Sequence, residues 1–501
     1  CTRSTMIEGG ERLCTLLEMI FIHHPDKMTE HIQKKEKIQD VKEMHNIMTV
    51  LERSIPILCH CWNADVYQKA RLANCYCRAI YVLCHFVGNN KIDTIMNDDS
   101  HLVRIIRRED LNIAREVVRL QGDGRAKRWW RLSSSLMKMC SIIHLRRDLM
   151  QFNITPMMIG LVQQSDELLT SCAEKQQIDS TRIDNDNTTL DISQVQTPMW
   201  ERKMLCQRTS NNIAMSIYLL SISVRTRKWL IGKGMLMSLR RMSTKRYDTN
   251  TLLIVSKILE QYCEEKNAAM LGVKEGIIQV IDNVMEVTAS AIEKNLQTTK
   301  QEAKKQLINE LGRKKRTVDQ NNNNQNNQKS NLLQMLQQIQ SITTRCLVKI
   351  CSHGITEPLN QILELCTHSL EANCSRYKLR ACVESLAYFS ETTDIKRRRH
   401  FFQQPYLTQA MWSLSMVKDD HIISERVCRL LSSISKEEIL EECQLLFVSE
   451  LYHQCLDNAK LRATTTIAKT CCMNATIRLK QKTAAAHSKV MVFKDTRFLS
   501  K

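Results

Sequence analysis

Glycine and proline are scarce in this chain, and that scarcity constrains its fold more than any other feature. The 501 residues hold 12 Gly and 6 Pro, where average usage gives roughly 35 and 25. Those two residues supply the special backbone angles of hairpins, tight turns and phosphate loops. A sandwich of short strands or a dinucleotide-binding sheet therefore fits badly. Long helices joined by short, ordinary connections fit well. Aromatic residues are only 5% of the chain, and Leu, Ile and Met supply most of the apolar bulk, as helix interiors tolerate.

Periodicity agrees. Apolar residues recur at i, i+3, i+4 and i+7 over 136–143, 213–223, 252–263 and 427–434, the stripe of a helix with one buried face. No two-residue alternation runs longer than about five residues, the length at which strand and helix patterns converge. Two segments interrupt the helices. Residues 174–198 are polar, rich in Asp, Asn, Gln and Thr, and read as a surface loop. Residues 312–331 pass from Gly312 through a basic cluster into an Asn/Gln tract. Such a tract buries no core, so it is expected to be a disordered linker. Three helical blocks follow, 1–173, 199–311 and 332–501.

The middle block repeats itself. Trp229-Leu230-Ile231-Gly232-Lys233-Gly234-Met235-Leu236 is echoed by Met270-Leu271-Gly272-Val273-Lys274-Glu275-Gly276-Ile277-Ile278. Gly234 and Gly276 stand 42 positions apart (276 − 234), the spacing of armadillo units. The expectation is a short second helix meeting a long third helix at a glycine, which lets the two approach without a side chain between them. Residues 136–164, with Thr155-Pro156, and 386–417, with Gln404-Pro405, have the same layout with proline at the first turn of the third helix, where its missing N–H is not needed. The predicted fold is all-α: an armadillo/HEAT-like, right-handed α-solenoid with a disordered Asn/Gln-rich insertion. Each unit needs its neighbours to cover its apolar face.

The formal charge is +19. A basic balance favours acidic partners in general, whether protein, nucleic acid or membrane surface. Short basic runs stand at Arg313–Arg316 and Lys396–Arg399, but the other cations are spread along the chain and read as solvated helix faces. Arg313–Arg316 also has the composition of a nuclear import signal. The 21 Cys are an odd number without framework spacing. With no secretory leader, that indicates reduced thiols in the cytoplasm, with the nucleus as the alternative. No apolar run approaches the 18 residues a membrane span needs. The chain opens with Cys1 and not Met, which reads as a fragment or a processed chain.

Candidate chemistry is thin. Cys59-His60-Cys61, Cys75-Tyr76-Cys77, Cys84-His85 and Cys471-Cys472 are too closely or irregularly spaced for zinc, which favours C-x-x-C on a turn. Core packing explains them better. Glu437-Glu438 and Glu441-Glu442 read as a solvated helix face. Trp129-Trp130, inside Arg125–Arg131, could stack bases. Core burial, with the arginines reaching out to water, is the simpler reading. No P-loop, nucleophile elbow, HExxH or GxGxxG is present, so the chain is expected to be neither an enzyme nor a cofactor or metal protein. Residues 251–281, with Ser256-Lys257-Ile258-Leu259, Asn267 and Glu275-Gly276, resemble armadillo repeats, which implies fold alone.

The third block carries a narrower resemblance. Arg345-Cys346-Leu347-Val348-Lys349-Ile350-Cys351-Ser352-His353-Gly354 leads to Asn373-Cys374 and then Val383-Glu384-Ser385-Leu386-Ala387-Tyr388-Phe389-Ser390. Asp394-Ile395-Lys396, Phe402 and the stretch Leu407 to Met411 follow. In order and spacing, residues 345–411 resemble the UCS-domain (Unc/Cro/She) myosin chaperones. That implies an α-solenoid co-chaperone holding myosin motor domains during folding, linked to Hsp90 through a tetratricopeptide module that is not visible in this sequence. The other expectation is a general armadillo scaffold for an acidic protein segment, or less favourably for nucleic acid. Its groove residues would be Arg240, Arg241, Gln409 and Trp412.

Overall fold

The computed structural model describes Arg12 and residues 73–78, 80–81, 116–120, 124–151, 153–181, 198–312, 321–353, 355, 357–371, 375–391, 401, 404, 406–418, 420–436 and 450–481. Every regular element among the described residues is a helix. The chain divides into two compact units, Cys1–Ile258 and Leu259–Lys501.

The first unit contains α1 (Arg125–Ser141), α2 (Ile143–Gln151), α3 (Thr155–Thr181), α4 (Met199–Ser221), α5 (Val224–Gly232) and α6 (Met235–Met242). Most of α7 (Thr249–Glu264) follows. Helix α4 packs on both α1 and α3, and α6 packs on α3. The joints follow from local chemistry. After α2 the chain turns through Asn153 at φ 53°, a left-handed angle that Asn tolerates better than most side chains. The Thr155 hydroxyl donates to Asn153 Oδ1 at 2.7 Å, and Pro156 sits in the first turn of α3 as expected.

The glycine joints also form, for a different reason than the sequence suggested. A Cβ on Gly234 would meet nothing within 4 Å, so close approach does not select glycine there. The selection comes from φ, which is 80° at Gly234 and 91° at Gly276, a left-handed conformation costly to other residues. Gly124, before α1, has φ 81° and is a third such joint. The helices that follow are unequal. Gly234 opens the 8-residue α6, and Gly276 precedes a 36-residue helix.

The second unit continues with α8 (Lys266–Lys274), α9 (Ile277–Gly312), α10 (Asn321–Ser352), α11 (Glu357–Thr367), α12 (Arg376–Glu391), α13 (Leu407–Ser415), α14 (His421–Ile434) and α15 (Glu450–Arg462). A last helix, α16, spans 466–481. Two rows build up side by side. In one, α9 packs on α10, α10 on α12 and α12 on α14. In the other, α11 packs on α13 and α13 on α15. Helices α12, α14 and α16 start at 376, 421 and 466, two steps of 45 residues. A two-row helical stack with that period is an armadillo/HEAT-like α-solenoid.

Both expected breaks shift. Helix α3 runs to Thr181, past the expected loop start at 174, and α10 begins at Asn321, inside the tract assigned to a disordered linker. Asn costs a helix less than about 0.7 kcal/mol per residue. A helix anchored further along by buried Leu336, Ile339, Ile342, Cys346 and Ile350 can therefore extend back through it.

Candidate partner interface

Helices α4, α5 and α6 carry a feature that counting charge over the whole chain hides. Between Glu201 and Asp248 stand eleven Lys and Arg and no Asp or Glu. Lys203, Arg208, Arg225, Arg240 and Lys245 present exposed side chains. The bordering carboxylates are committed elsewhere. Glu201 pairs with Lys127 at 3.0 Å. Asp248 accepts the Thr251 N–H at 2.8 Å, which helps cap α7. Glu167 accepts from the Gln163 and Gln164 side chains at 3.0 and 2.9 Å.

One carboxylate organises the corner where α6 ends. Asp166, on α3, faces Arg246 at 3.2 Å and Arg241 at 3.9 Å. It also accepts the Tyr247 hydroxyl at 3.3 Å. Burial, then the Asp166 charge, pushes the Tyr247 phenol above its ordinary range, so Tyr247 stays a neutral donor. Arg246 donates to the Thr170 hydroxyl at 2.6 Å, and its backbone carbonyl accepts from Gln207 at 3.2 Å. Lys203 lies one turn before Gln207 on α4. Arg241 and Arg246 thus share a single carboxylate, and Arg240 and Lys245, their neighbours in sequence, are exposed. Arg240 and Arg241 also end α6, where they offset the helix dipole, so part of their role is structural.

Of the four residues the sequence nominates, Arg240 and Arg241 fall in this corner. Gln409 and Trp412 are one turn apart on α13 in the other unit, exposed and half-buried respectively. Sequence reasoning missed Lys203, Lys245, Arg246 and the tether Asp166. The acid-free run from 202 to 247 was the available signal for the cations. Asp166 had none, because it lies 80 residues from Arg246.

Charge is arranged differently in the second unit. Arg380 donates to Asp420 at 2.9 Å across 40 residues, and Arg426 to Glu384 at 3.0 Å across 42. Arg429 grips both oxygens of Glu391, at 2.8 and 2.5 Å across 38 residues. Arg345 reaches Glu260 at 2.7 Å across 85 residues. These separations are close to one or two repeats, so the cations join successive layers of the stack. The Glu391 hydrogen bond raises the Arg429 pKa further, and burial opposes it. Burial alone would raise Glu260, but the Arg345 hydrogen bond and the charges of Arg345 and Lys349 prevail and hold it below its ordinary value.

The remaining sequence candidates resolve as follows. Trp129 is 1% exposed and its ring N–H donates to the Val118 carbonyl at 3.0 Å, so it offers no face to a base. Trp130 packs against Tyr81, ring centroids 5.1 Å apart. Arg128 does not reach out to water as expected. It is fully buried and donates to the Leu120 carbonyl at 2.9 Å, and burial lowers its pKa. Cys75 and Cys77 are core residues, and burial pushes the Cys77 thiol up to about 12. Cys59, His60, Cys61, Cys84, His85, Arg313–Arg316, Lys396–Arg399 and the Glu437–Glu442 carboxylates lie outside the described residues. No described helix is long and apolar enough to cross a membrane.

No family model matches this chain, and no curated protein matches it. A solved structure concerning a phosphorylation switch in the interaction between cadherin and beta-catenin is similar over 87% of this chain and 96% of that chain, at 11% identity and a TM-score of 0.22. A score that low carries no weight. The fold assignment rests on the repeat geometry above.

Proposed function

We propose that this chain is a non-catalytic helical scaffold that binds an acidic segment of a partner protein at the corner formed by α3, α4 and α6. One observation carries the reading. Eleven cations without an acid run from 202 to 246, along α4, α5, α6 and their connections, and the nearest carboxylates already have partners. A surface field of one sign attracts an oppositely charged chain and speeds its capture. A solenoid offers such a chain an extended face.

The test uses a labelled 12-residue poly-glutamate peptide, followed by fluorescence anisotropy. Binding should be measurable at low salt and fall steeply as ionic strength rises. A glutamine peptide of equal length that binds as well would overturn the proposal. Single-stranded DNA that binds while the acidic peptide does not would move the reading to nucleic acid.

The narrower reading, a myosin co-chaperone working with Hsp90, is favoured by the order of residues 345–411 alone. Cys346, Leu347, Ile350, Cys351, Val383, Leu386, Ala387 and Phe389 in that stretch are all buried. A shared pattern of core residues accounts for a shared stack and says little about a client. If this reading holds, the chain suppresses heat aggregation of a myosin motor fragment at equal stoichiometry. Unimpeded aggregation in the presence of folded protein rules it out.

A further inference from the structure

Two buried thiols meet across a repeat joint in the second unit. Cys428 on α14 and Cys472 on α16 lie 44 positions apart in sequence, with their sulfurs 3.1 Å from each other. Cys428 is fully buried and Cys472 is 2% exposed. Cys471, the next residue on the same helix, is only partly buried. A disulfide needs its sulfurs at about 2.05 Å, roughly 1 Å closer than they stand.

We propose that Cys428 and Cys472 form a peroxide-sensitive modification site, which closes to a disulfide that clamps α14 to α16. The chemistry balances with hydrogen peroxide as oxidant. The Cys472 thiolate attacks one peroxide oxygen, the O–O bond breaks, and the departing hydroxide takes up a proton to become water. Cys472 is left as a sulfenic acid. The sulfur of Cys428 then displaces hydroxide from Cys472 sulfur and gives up its own proton, forming the S–S bond and a second water. The two thiols lose two electrons and one peroxide gains them.

The surroundings assign these roles. The hydrogen bond shared with Cys428 lowers the Cys472 pKa, burial opposes it, and the Lys460 charge helps. The same bond, with burial, raises Cys428 well above an ordinary thiol. Cys472 is therefore the sulfur that meets the oxidant, since the thiolate is the reactive form. Cys428 resolves the product. A second buried pair, Cys263 and Cys346, provides a built-in comparison. There the hydrogen bond and the mutual charge both add to burial in raising Cys346.

The full chain, reduced and freed of reductant, is exposed to a few equivalents of hydrogen peroxide. Remaining thiols are then alkylated, and the protein is digested without reduction for mass spectrometry. The expected product is a single cross-link between the peptide holding Cys428 and the peptide holding Cys471 and Cys472. It persists in Cys471→Ser and disappears in Cys472→Ser, and oxidation raises the Tm of the wild-type chain. Three outcomes overturn the proposal: a cross-link that survives in Cys472→Ser, a Cys263–Cys346 cross-link that forms first, or a pair that stays reduced until urea unfolds the protein. The wild-type map decides even if a variant folds poorly.

Discussion

The two units put the same cation chemistry to opposite uses. In the second, Arg345, Arg380, Arg426 and Arg429 each face a carboxylate one or two repeats away. In the first, Arg241 and Arg246 share Asp166, while Arg240 and Lys245 beside them in sequence are exposed. An arginine whose carboxylate belongs to the next repeat is part of the scaffold. An exposed cation with no such neighbour keeps its field for a partner. Net charge does not distinguish these cases, but matching charge to charge does.

The comparison breaks most visibly on charge reversal. Replacing Arg240, Arg241, Lys245 and Arg246 together by Glu should weaken the acidic peptide at least about 100-fold at low salt, since each close pair of unit charges in water is worth about 1 kcal/mol. Reversing Arg345 and Arg426 should leave peptide affinity within about 3-fold, because those cations are already matched. Anisotropy titrations of both variants, each checked by circular dichroism, decide the matter. Equal losses in the two would erase the distinction between the units.

Next in size comes Asp420. Its carboxylate accepts the backbone N–H groups of Ile422 and Ile423 at 3.2 Å each and the Arg380 side chain at 2.9 Å. Asp420→Ala removes a helix cap and leaves Arg380 without that partner, which should cost about 2–3 kcal/mol in urea unfolding. Below it, Arg429→Ala and Glu391→Ala should be strongly non-additive, with a coupling of about 1–2 kcal/mol in a double-mutant cycle, as expected for a two-oxygen grip that is half-buried. A coupling near zero would mean that the joints between repeats rest on apolar packing alone.

The fold was largely legible because its causes are local and periodic. Scarce glycine and proline, apolar stripes and the 42-residue spacing all act within one repeat. Composition reports what the Asn/Gln tract prefers alone. Helix α10 is set by Leu336 through Ile350, and the tract extends that helix. The site was half legible. Arg240 and Arg241, nominated from sequence, are neighbours in the chain at the end of α6. Asp166, Glu260 and Glu391 become partners only through the stacking of helices distant in sequence, which no short pattern encodes. The Cys428–Cys472 pair was hidden for the same reason, although the 45-residue period would have brought the two nearly level had it been read from α12 onward.

The smallest expected effect tests how the glycine joints work, and it separates two residues that stand side by side. Gly232 ends α5 at an ordinary helical angle with open space where a Cβ would go. Gly232→Ala should therefore stabilise the chain by about 0.5 kcal/mol, because Ala restricts the unfolded chain and suits a helix better. Gly234, two positions on, has equal space but φ 80°. Gly234→Ala should cost about 1 kcal/mol through backbone strain alone. Gly276→Ala in the other unit should cost a similar amount. The Gln279 side-chain oxygen would lie 2.5 Å from its Cβ, but a flexible glutamine moves aside cheaply, so φ 91° sets the penalty. If thermal unfolding shows both Gly232→Ala and Gly234→Ala as neutral, the left-handed joint is not what the 42-residue spacing preserves. If Gly276→Ala costs far more than Gly234→Ala, close approach matters after all, but only in the second unit.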